Sequence, residues 1–332
     1  MLSDGDRSTA HPLTVLATGD IMLVLGMTRP LRQHGAEYPF RQVRPLLTRA
    51  DILVGNLEAP FTARNTPTPH KSAESVRARR DYILRAEPRW APALAFAGFD
   101  AVGLANNHMM DYQAEGLTDT LRTLEQLHIA YAGAGRNIEE ARRPALLERR
   151  GLRVALWSYS CILPIGSVAT ATRAGIAPAR GVGAEEAVRQ SLEAARDQFD
   201  LVLVSIHWGK QLALFPDRVQ QRLGRLLVEW GADAVLGHHP HVLQGIEVYQ
   251  GKIIAYSLGD LVNLSSRSET AVLQLVARRA HVIESASVIP LRLRQGQLQY
   301  ATGAEWKATL SRLHRLSAPW GTRFSPFGEV LL

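Results

Sequence analysis

Five short apolar runs, each broken off by glycine or a polar cluster that carries a metal-competent side chain, constrain this chain more than any other feature. Residues 13–18 stop at Gly19-Asp20, and residues 52–54 stop at Gly55-Asn56-Leu57-Glu58. Residues 99–104 give way to Ala105-Asn106-Asn107-His108, with Asp111 just beyond. Residues 201–206 end at His207-Trp208-Gly209, and residues 234–236 at Gly237-His238-His239-Pro240-His241. Short runs rich in β-branched residues and bounded in this way read as buried strands. Helical spacing falls between them: Leu117, Leu121, Leu124 and Leu127; Val188, Leu192, Ala195 and Phe199; Val219, Leu223, Leu226, Leu227 and Trp230. Strand alternating with helix predicts an α/β architecture.

The last third reads differently. Residues 245–249 and 252–257, joined by Gln250-Gly251, predict a hairpin, and residues 272–278, 286–293 and 297–301 add antiparallel strands. A β-rich tail pairing with an α/β core gives mixed sheets. A single domain over 1–332 is the simplest account, with 1–12 a flexible tail. The stretches 59–74 and 164–183 are long enough to be lids or binding loops.

Bulk properties narrow the class. An apolar fraction of 46% fits a folded globular core, and no apolar run approaches the roughly 20 residues of a membrane helix. The first twelve residues lack the apolar segment of a signal peptide, so the expectation is a cytoplasmic protein without a membrane anchor. The single cysteine, Cys161, excludes a disulfide framework and a cysteine-rich zinc site, and is expected to be a buried, inert thiol. The net charge is +7, and lysine occurs only at 71, 210, 252 and 307, the other 34 of the 38 basic residues being arginine. Apart from Arg77-Ala-Arg-Arg80 and Arg149-Arg150 these charges are dispersed and not interleaved with aromatics, which argues against nucleic-acid binding. An acidic substrate or partner is compatible with the charge.

In open α/β sheets ligands bind outside the carboxyl ends of the strands, where five of the eleven histidines fall here. Imidazole with carboxylate suits Zn, Mn or Fe. Taken singly, Gly19-Asp20 and the turn at Gly55–Glu58 are equally readable as capping turns, Asn107-His108 as a hydrogen-bonded loop, and His207 as a core histidine. Three imidazoles in four positions on a glycine- and proline-braced turn point to a metal or phosphate site.

Together, Thr18-Gly19-Asp20-Ile21-Met22, Gly55-Asn56-Leu57-Glu58-Ala59-Pro60, Ala105-Asn106-Asn107-His108 with Asp111, His207-Trp208-Gly209, Gly237-His238-His239-Pro240-His241 through Gly245, and Tyr256-Ser257-Leu258-Gly259-Asp260 resemble the successive motifs of the CapA family. These are poly-γ-glutamate capsule biosynthesis proteins, related to the calcineurin-like metallophosphoesterases. The resemblance spans about residues 13–262. It implies a four-layer α/β/β/α sandwich with two mixed β-sheets, and a divalent centre of one or two ions, the pair roughly 3.5–4 Å apart. It implies Asp20 on the first metal and Glu58 as the bridging carboxylate. Asn107 and His207 fall on the second metal, and His239 and His241 form the closing pair. Asn56 and His238 are further candidates for metal or substrate, with His238 competing because it directly follows Gly237. His108, as acid or electrostatic stabiliser, and Asp111 are the implied catalytic residues.

Four positions depart from the family patterns. Met22 stands where the phosphoesterases place a ligand histidine, and Gly55-Asn56-Leu57-Glu58 replaces an aspartate with an amide and a longer carboxylate. Lys210-Gln211 follows His-Trp-Gly in place of acidic residues, which makes Lys210 a candidate substrate contact or a solvated loop lysine. Gly259-Asp260 replaces Gly-Asn. Two functions follow as expectations. One is a metal-dependent hydrolase or transferase acting on an anionic phosphate or γ-glutamyl/amide-linked substrate. The other is a non-catalytic accessory protein of capsule-type polymer synthesis or export that binds an acidic polymer or a partner.

Overall fold

Side chains along a strand point alternately to opposite faces, and this alternation sets the layering. Along Leu13–Ile21, Leu13, Val15 and Ala17 enter one apolar cluster while Leu16 and Ile21 enter another. Ile52–Leu57 repeats the division, with Ile52 and Val54 on one side and Leu53 and Leu57 on the other. Leu152–Ser160 contributes Leu152, Val154 and Leu156 to the same inner cluster, and Ala155, Trp157 and Tyr159 to a third. Two sheets therefore share one apolar interior. The outer face of the first is covered by Pro92–Ala97 and Gln113–Gln126, and that of the second by Ala184–Ala195 and Arg218–Glu229. The layers are α/β/β/α. The computed structural model describes residues 11–78, 81–263 and 269–331.

In the first sheet Leu13–Ile21, Ile52–Leu57, Ala101–Gly103 and Ala130–Ala132 run parallel, and Glu269–Arg279 joins Leu13–Ile21 antiparallel, followed by Val282–Arg294. In the second, Leu152–Ser160, Leu201–His207, Ala234–His238 and Lys252–Ala255 are parallel between antiparallel edges Ala145–Arg149 and Ile246–Tyr249. The β-rich tail is thus divided: its hairpin completes the second sheet and its remaining strands complete the first. At the amino ends, aspartates tie neighbouring strands together. Asp51 accepts from Thr14 N at 3.0 Å, and Asp100, Asp200 and Asp233 accept from Leu53, Arg153 and Val202 N at 2.8 Å. The opposite, carboxyl ends carry the histidines.

Several sequence expectations are adjusted. The first strand continues to Ile21 through a register shift between Ala17 and Asp20, so Asp20 lies within the strand rather than after it. His207 and His238 are likewise the last residues of their strands. Val219 is exposed and does not belong to its helix's buried stripe, because the helix begins at Arg218 behind an Asp217/Gln220 capping box. The helix Ala304–Ser317 has no counterpart in the sequence reading. Both long loops carry little regular structure: Ala73–Arg77 begins at the end of one, and Gly175–Ile176 lies within the other. Cys161 is buried, and burial pushes its thiol up to about 12. Residues 1–10 of the expected tail, and 79–80 of the arginine run, lie outside the described residues.

Candidate metal centre

Two glycines let the backbone close around the site. A Cβ at Gly19 would fall 2.0 Å from Gly259 O, and one at Gly237 would fall 2.0 Å from Tyr256 O. Only glycine permits these approaches, which bring Asp20 and the histidine turn together. Asp20 is fully buried. Its Oδ1 accepts from Asn56 Nδ2 at 2.7 Å and its Oδ2 from His239 N at 3.3 Å. Asn56 in turn accepts from Asn106 Nδ2 at 3.2 Å, and Asn106 Oδ1 receives the backbone N–H groups of His108 and Met109. An amide relay therefore fixes three strand ends against one another, and Asn56 is occupied in holding Asp20.

The donors converge in two sets that share Glu58. Glu58, His207 and His239 form one, and Asp20, Glu58 and His241 the other, with donor atoms all within 4.8 Å of one another in each set. Glu58 Oε1 lies 3.3 Å from His207 Nε2, and Oε2 lies 3.9 Å from His241 Nδ1. Asn107 Oδ1 is 2.7 Å from His207 Nε2, which adds the amide to the first of these sets. His238 Nδ1 lies 3.3 Å from Asp20 Oδ1, outside both sets. His239 and His241 both take positive φ, 93° and 56°. Such conformations cost on the order of 1–3 kcal/mol each in non-glycine residues and cluster at functional sites.

A metal fits these residues. Among the described residues, neither oxygen of the fully buried Glu58 has a hydrogen-bond partner, nor have His207 Nδ1 and His238 Nδ1. Buried polar groups are ordinarily satisfied, and a cation between the carboxylates and imidazoles would account for the Glu58 oxygens. The electrostatics agree. Burial and the neighbouring Asp20 charge push Glu58 well above the usual carboxylate range. Burial opposes the charge on Asp20 too, but His238 and His241 hold it well below that range. Burial and the neighbouring imidazole His239 push His207 well down; burial and His241 depress His239 to about 4, leaving both rings neutral and able to ligate. Burial opposes protonation of His241, yet Glu58, Asp20 and Asp260 together raise it well above an ordinary imidazole. Without a metal, a protonated histidine partly offsets the crowded carboxylates; a divalent ion would do so more fully.

Beside the two sets, His108 Nδ1 lies 2.8 Å from Asp111 Oδ2, and Asp111 also accepts from Leu84 N at 2.7 Å and from Lys71 Nζ at 2.5 Å. The Lys71 ammonium has further acceptors in Tyr82 O and Asn107 O, so its three protons are spent. Lys71 Nζ also lies 3.3 Å from His108 Nδ1, farther than its other three acceptors, so the Nδ1 proton is assigned to Asp111 Oδ2 at 2.8 Å and Nε2 is the nitrogen left to exchange protons. Lys71 has no site role in the sequence reading. Its signal was available: in a chain that uses arginine almost throughout, two of the four lysines, Lys71 and Lys252, are the ones paired with buried aspartates. A cavity of about 290 Å³ opens next to this group between the two long loops, lined by His70, Lys71, Asn107, Asp111, Ser167 and Arg173. Lys210 is exposed and is not gathered into either donor set or this cavity.

The family described as bacterial capsule synthesis protein PGA_cap matches residues 14–265. A capsule biosynthesis protein CapA of Bacillus anthracis is 31% identical over 294 residues, covering 88% of this chain and 70% of that protein. A Mycobacterium tuberculosis relative described as a "probable polyglutamine synthesis accessory protein" is 30% identical, covering 83% of this chain and 75% of its own length. A solved structure described as a "putative 5'-nucleotidase" from Staphylococcus aureus superposes with a TM-score of 0.51 at 13% identity, over 84% of this chain and 54% of that one. That likeness shows the metallophosphoesterase type of fold. Among the described residues no helix is long and apolar enough to cross a membrane.

Proposed function

This chain belongs to the bacterial capsule synthesis protein PGA_cap family, and from that premise we propose that it is a metal-dependent hydrolase or transferase acting on a phosphate or γ-glutamyl/amide-linked anionic substrate. The observation that carries this reading is Glu58: a fully buried carboxylate with neither oxygen hydrogen-bonded among the described residues, shared by two sets of histidine and carboxylate donors. Asp20, Glu58 and His241 would hold one divalent ion, and Glu58, His207, His239 and Asn107 a second. The ions, of Mn, Zn or Fe type, would supply charge stabilisation and an activated water at neutral pH.

The remaining work falls to the chain's own residues. His108 is held through Nδ1 by Asp111, so a proton gained at Nε2 would be stabilised by the carboxylate behind the ring. Burial holds the His108 imidazole below its ordinary pKa, and Asp111 offsets part of that depression. On the walls of the adjoining cavity, which also carry Glu115, Arg173 is the cation that would meet an anionic substrate, since the Lys71 ammonium is committed to Asp111 and two carbonyls. Elemental analysis, together with turnover of simple phosphoesters and γ-glutamyl amides by the full chain, tests the proposal. Asp20→Ala and His239→Ala are each expected to weaken ion binding at one of the two positions and to abolish turnover; a metal-free protein without histidine-dependent turnover overturns it.

The accessory role in the name of the Mycobacterium tuberculosis relative favours a second reading, in which we infer that the protein binds an acidic polymer without catalysis. Binding of γ-linked polyglutamate that survives chelation, without any turnover, would support that alternative.

A further inference from the structure

We propose that Asp260 is a fourth protein donor to the ion position formed by Asp20, Glu58 and His241, supplied from the neighbouring strand because position 22 offers none. The inference rests on the metal-centre reading above.

Met22 is buried in the outer apolar cluster with Leu23, Met27 and Leu57. Its backbone instead recruits a neighbour: Met22 N donates to Val262 O and Asp20 N to Gly259 O, each at 2.8 Å. These bonds lay the strand Asp260–Val262 parallel to the end of Leu13–Ile21, with Asp260 in register with Asp20. The bare Gly19 makes the approach possible.

The side chain completes the placement. Asp260 Oδ1 lies 2.8 Å from His241 Nδ1, the same atom that stands 3.4 Å from Asp20 Oδ2 and 3.9 Å from Glu58 Oε2. Donors around one ion at metal–ligand lengths near 2.1 Å are spaced roughly 3–4 Å apart; the Asp20 and Glu58 contacts fall in that range, whereas the Asp260–His241 contact is a hydrogen bond that an ion would replace, with Oδ1 entering from just outside the set of Asp20, Glu58 and His241. Asn263 Nδ2 donates to Asp260 Oδ2 at 3.0 Å, which orients the carboxylate and leaves Oδ1 facing His241. The unpartnered Glu58 oxygens, buried in the same cluster, are the independent sign that a cation belongs there.

The two positions then differ in chemistry. Three carboxylates and one imidazole make an oxygen-rich position suited to Mn²⁺, whereas two imidazoles, an amide and the shared Glu58 suit Zn²⁺ or Fe²⁺ better.

Calorimetric titration of the chelator-stripped full chain with Mn²⁺ and Zn²⁺, with Mn²⁺ paramagnetic resonance as a second readout, tests this. Asp260→Asn keeps one oxygen, which can still accept from His241, while its new NH2 can donate to Asn263 once that amide turns its own oxygen inward, so a merely positional role is preserved. Two equivalents are expected in the wild type. In Asp260→Asn one of them should bind Mn²⁺ at least about 10-fold more weakly, the other being unchanged. Two equivalents bound by Asp260→Asn at wild-type affinity with an unaltered resonance spectrum overturn the proposal, as does a wild type holding one equivalent that the substitution does not affect. A wild type that binds no divalent ion overturns the metal-centre reading itself, and this inference with it. Thermal unfolding of the stripped proteins checks folding, and Asp260→Ser replaces the amide variant if that variant does not fold.

Discussion

Glu58 Oε1 and His207 Nε2 face each other at 3.3 Å in the interior of the protein, and among the described residues no group donates a hydrogen bond to that carboxylate. A buried carboxylate without donors is costly to keep charged, and burial beside Asp20 pushes Glu58 upward accordingly. Glu58→Gln keeps the shape and removes the charge that a cation would need. Its affinity for Mn²⁺ or Zn²⁺ should fall by at least about 100-fold, since even outer partners of a metal site are worth about 10–100-fold. The stripped variant should unfold within about 1 kcal/mol of the stripped wild type. Calorimetric titration and denaturant unfolding read the two effects separately.

Chelation gives a second expectation. An ion that binds only the folded protein stabilises it by about 2.7 kcal/mol at 100 times its dissociation constant. Stripping the wild type should therefore lower its Tm, and adding Mn²⁺ or Zn²⁺ back should restore it in a concentration-dependent way. In His239→Ala, which removes a donor from the set with His207, the restored increment should shrink. A Tm indifferent to chelator in both proteins would count against a metal centre.

The strand ends were legible because burial demands apolar runs and the donors interrupt them. The role of each donor was not legible, because it depends on how neighbouring strands register. Asn56 looks like a ligand in sequence, but its amide is spent between Asp20 and Asn106. His238 and His239 are indistinguishable on paper. The backbone separates them, since His238 ends a strand and His239 turns away at φ 93°, placing only the latter in a donor set. Lys71 had only its rarity among arginines to mark it; a lone loop lysine has no periodicity, and only the fold carries it to Asp111. Lys210 stood out by its motif and lies at the surface. Asp260 was visible only as a departure from Gly-Asn; the register beside Asp20 gives it a meaning.

Away from the site, His281 offers a pH expectation. Its Nδ1 lies 3.0 Å from Asp233 Oδ2, and that hydrogen bond raises its pKa above an ordinary imidazole against the opposing effect of burial. A group whose folded pKa is raised stabilises fully below its unfolded value, about 6.5 for histidine, and the contribution is lost as pH rises through the folded value. The Tm advantage of wild type over His281→Asn should therefore be largest below about pH 6 and shrink toward pH 8. Melting curves across that window check it, and a constant difference would refute the linkage.

Lys71 and Asp111 are 3% and 1% exposed, a buried ion pair at 2.5 Å. Removing one partner of such a pair leaves an uncompensated charge and typically costs about 3–5 kcal/mol, whereas removing both can be nearly neutral. Lys71→Met should thus lose about 3 kcal/mol in denaturant unfolding, since only His108 and Leu84 N still address the Asp111 carboxylate. Asp111→Asn added to Lys71→Met should recover more than half of that loss, because the new amide oxygen can accept from Leu84 N without a charge to bury. The same pair of variants separates stability from chemistry. In the double variant the folded state returns, but nothing negative remains behind His108 to stabilise a proton on Nε2. If turnover depends on His108, the double variant should stay inactive despite its regained stability. Recovery of both together would show that Asp111 serves only the fold.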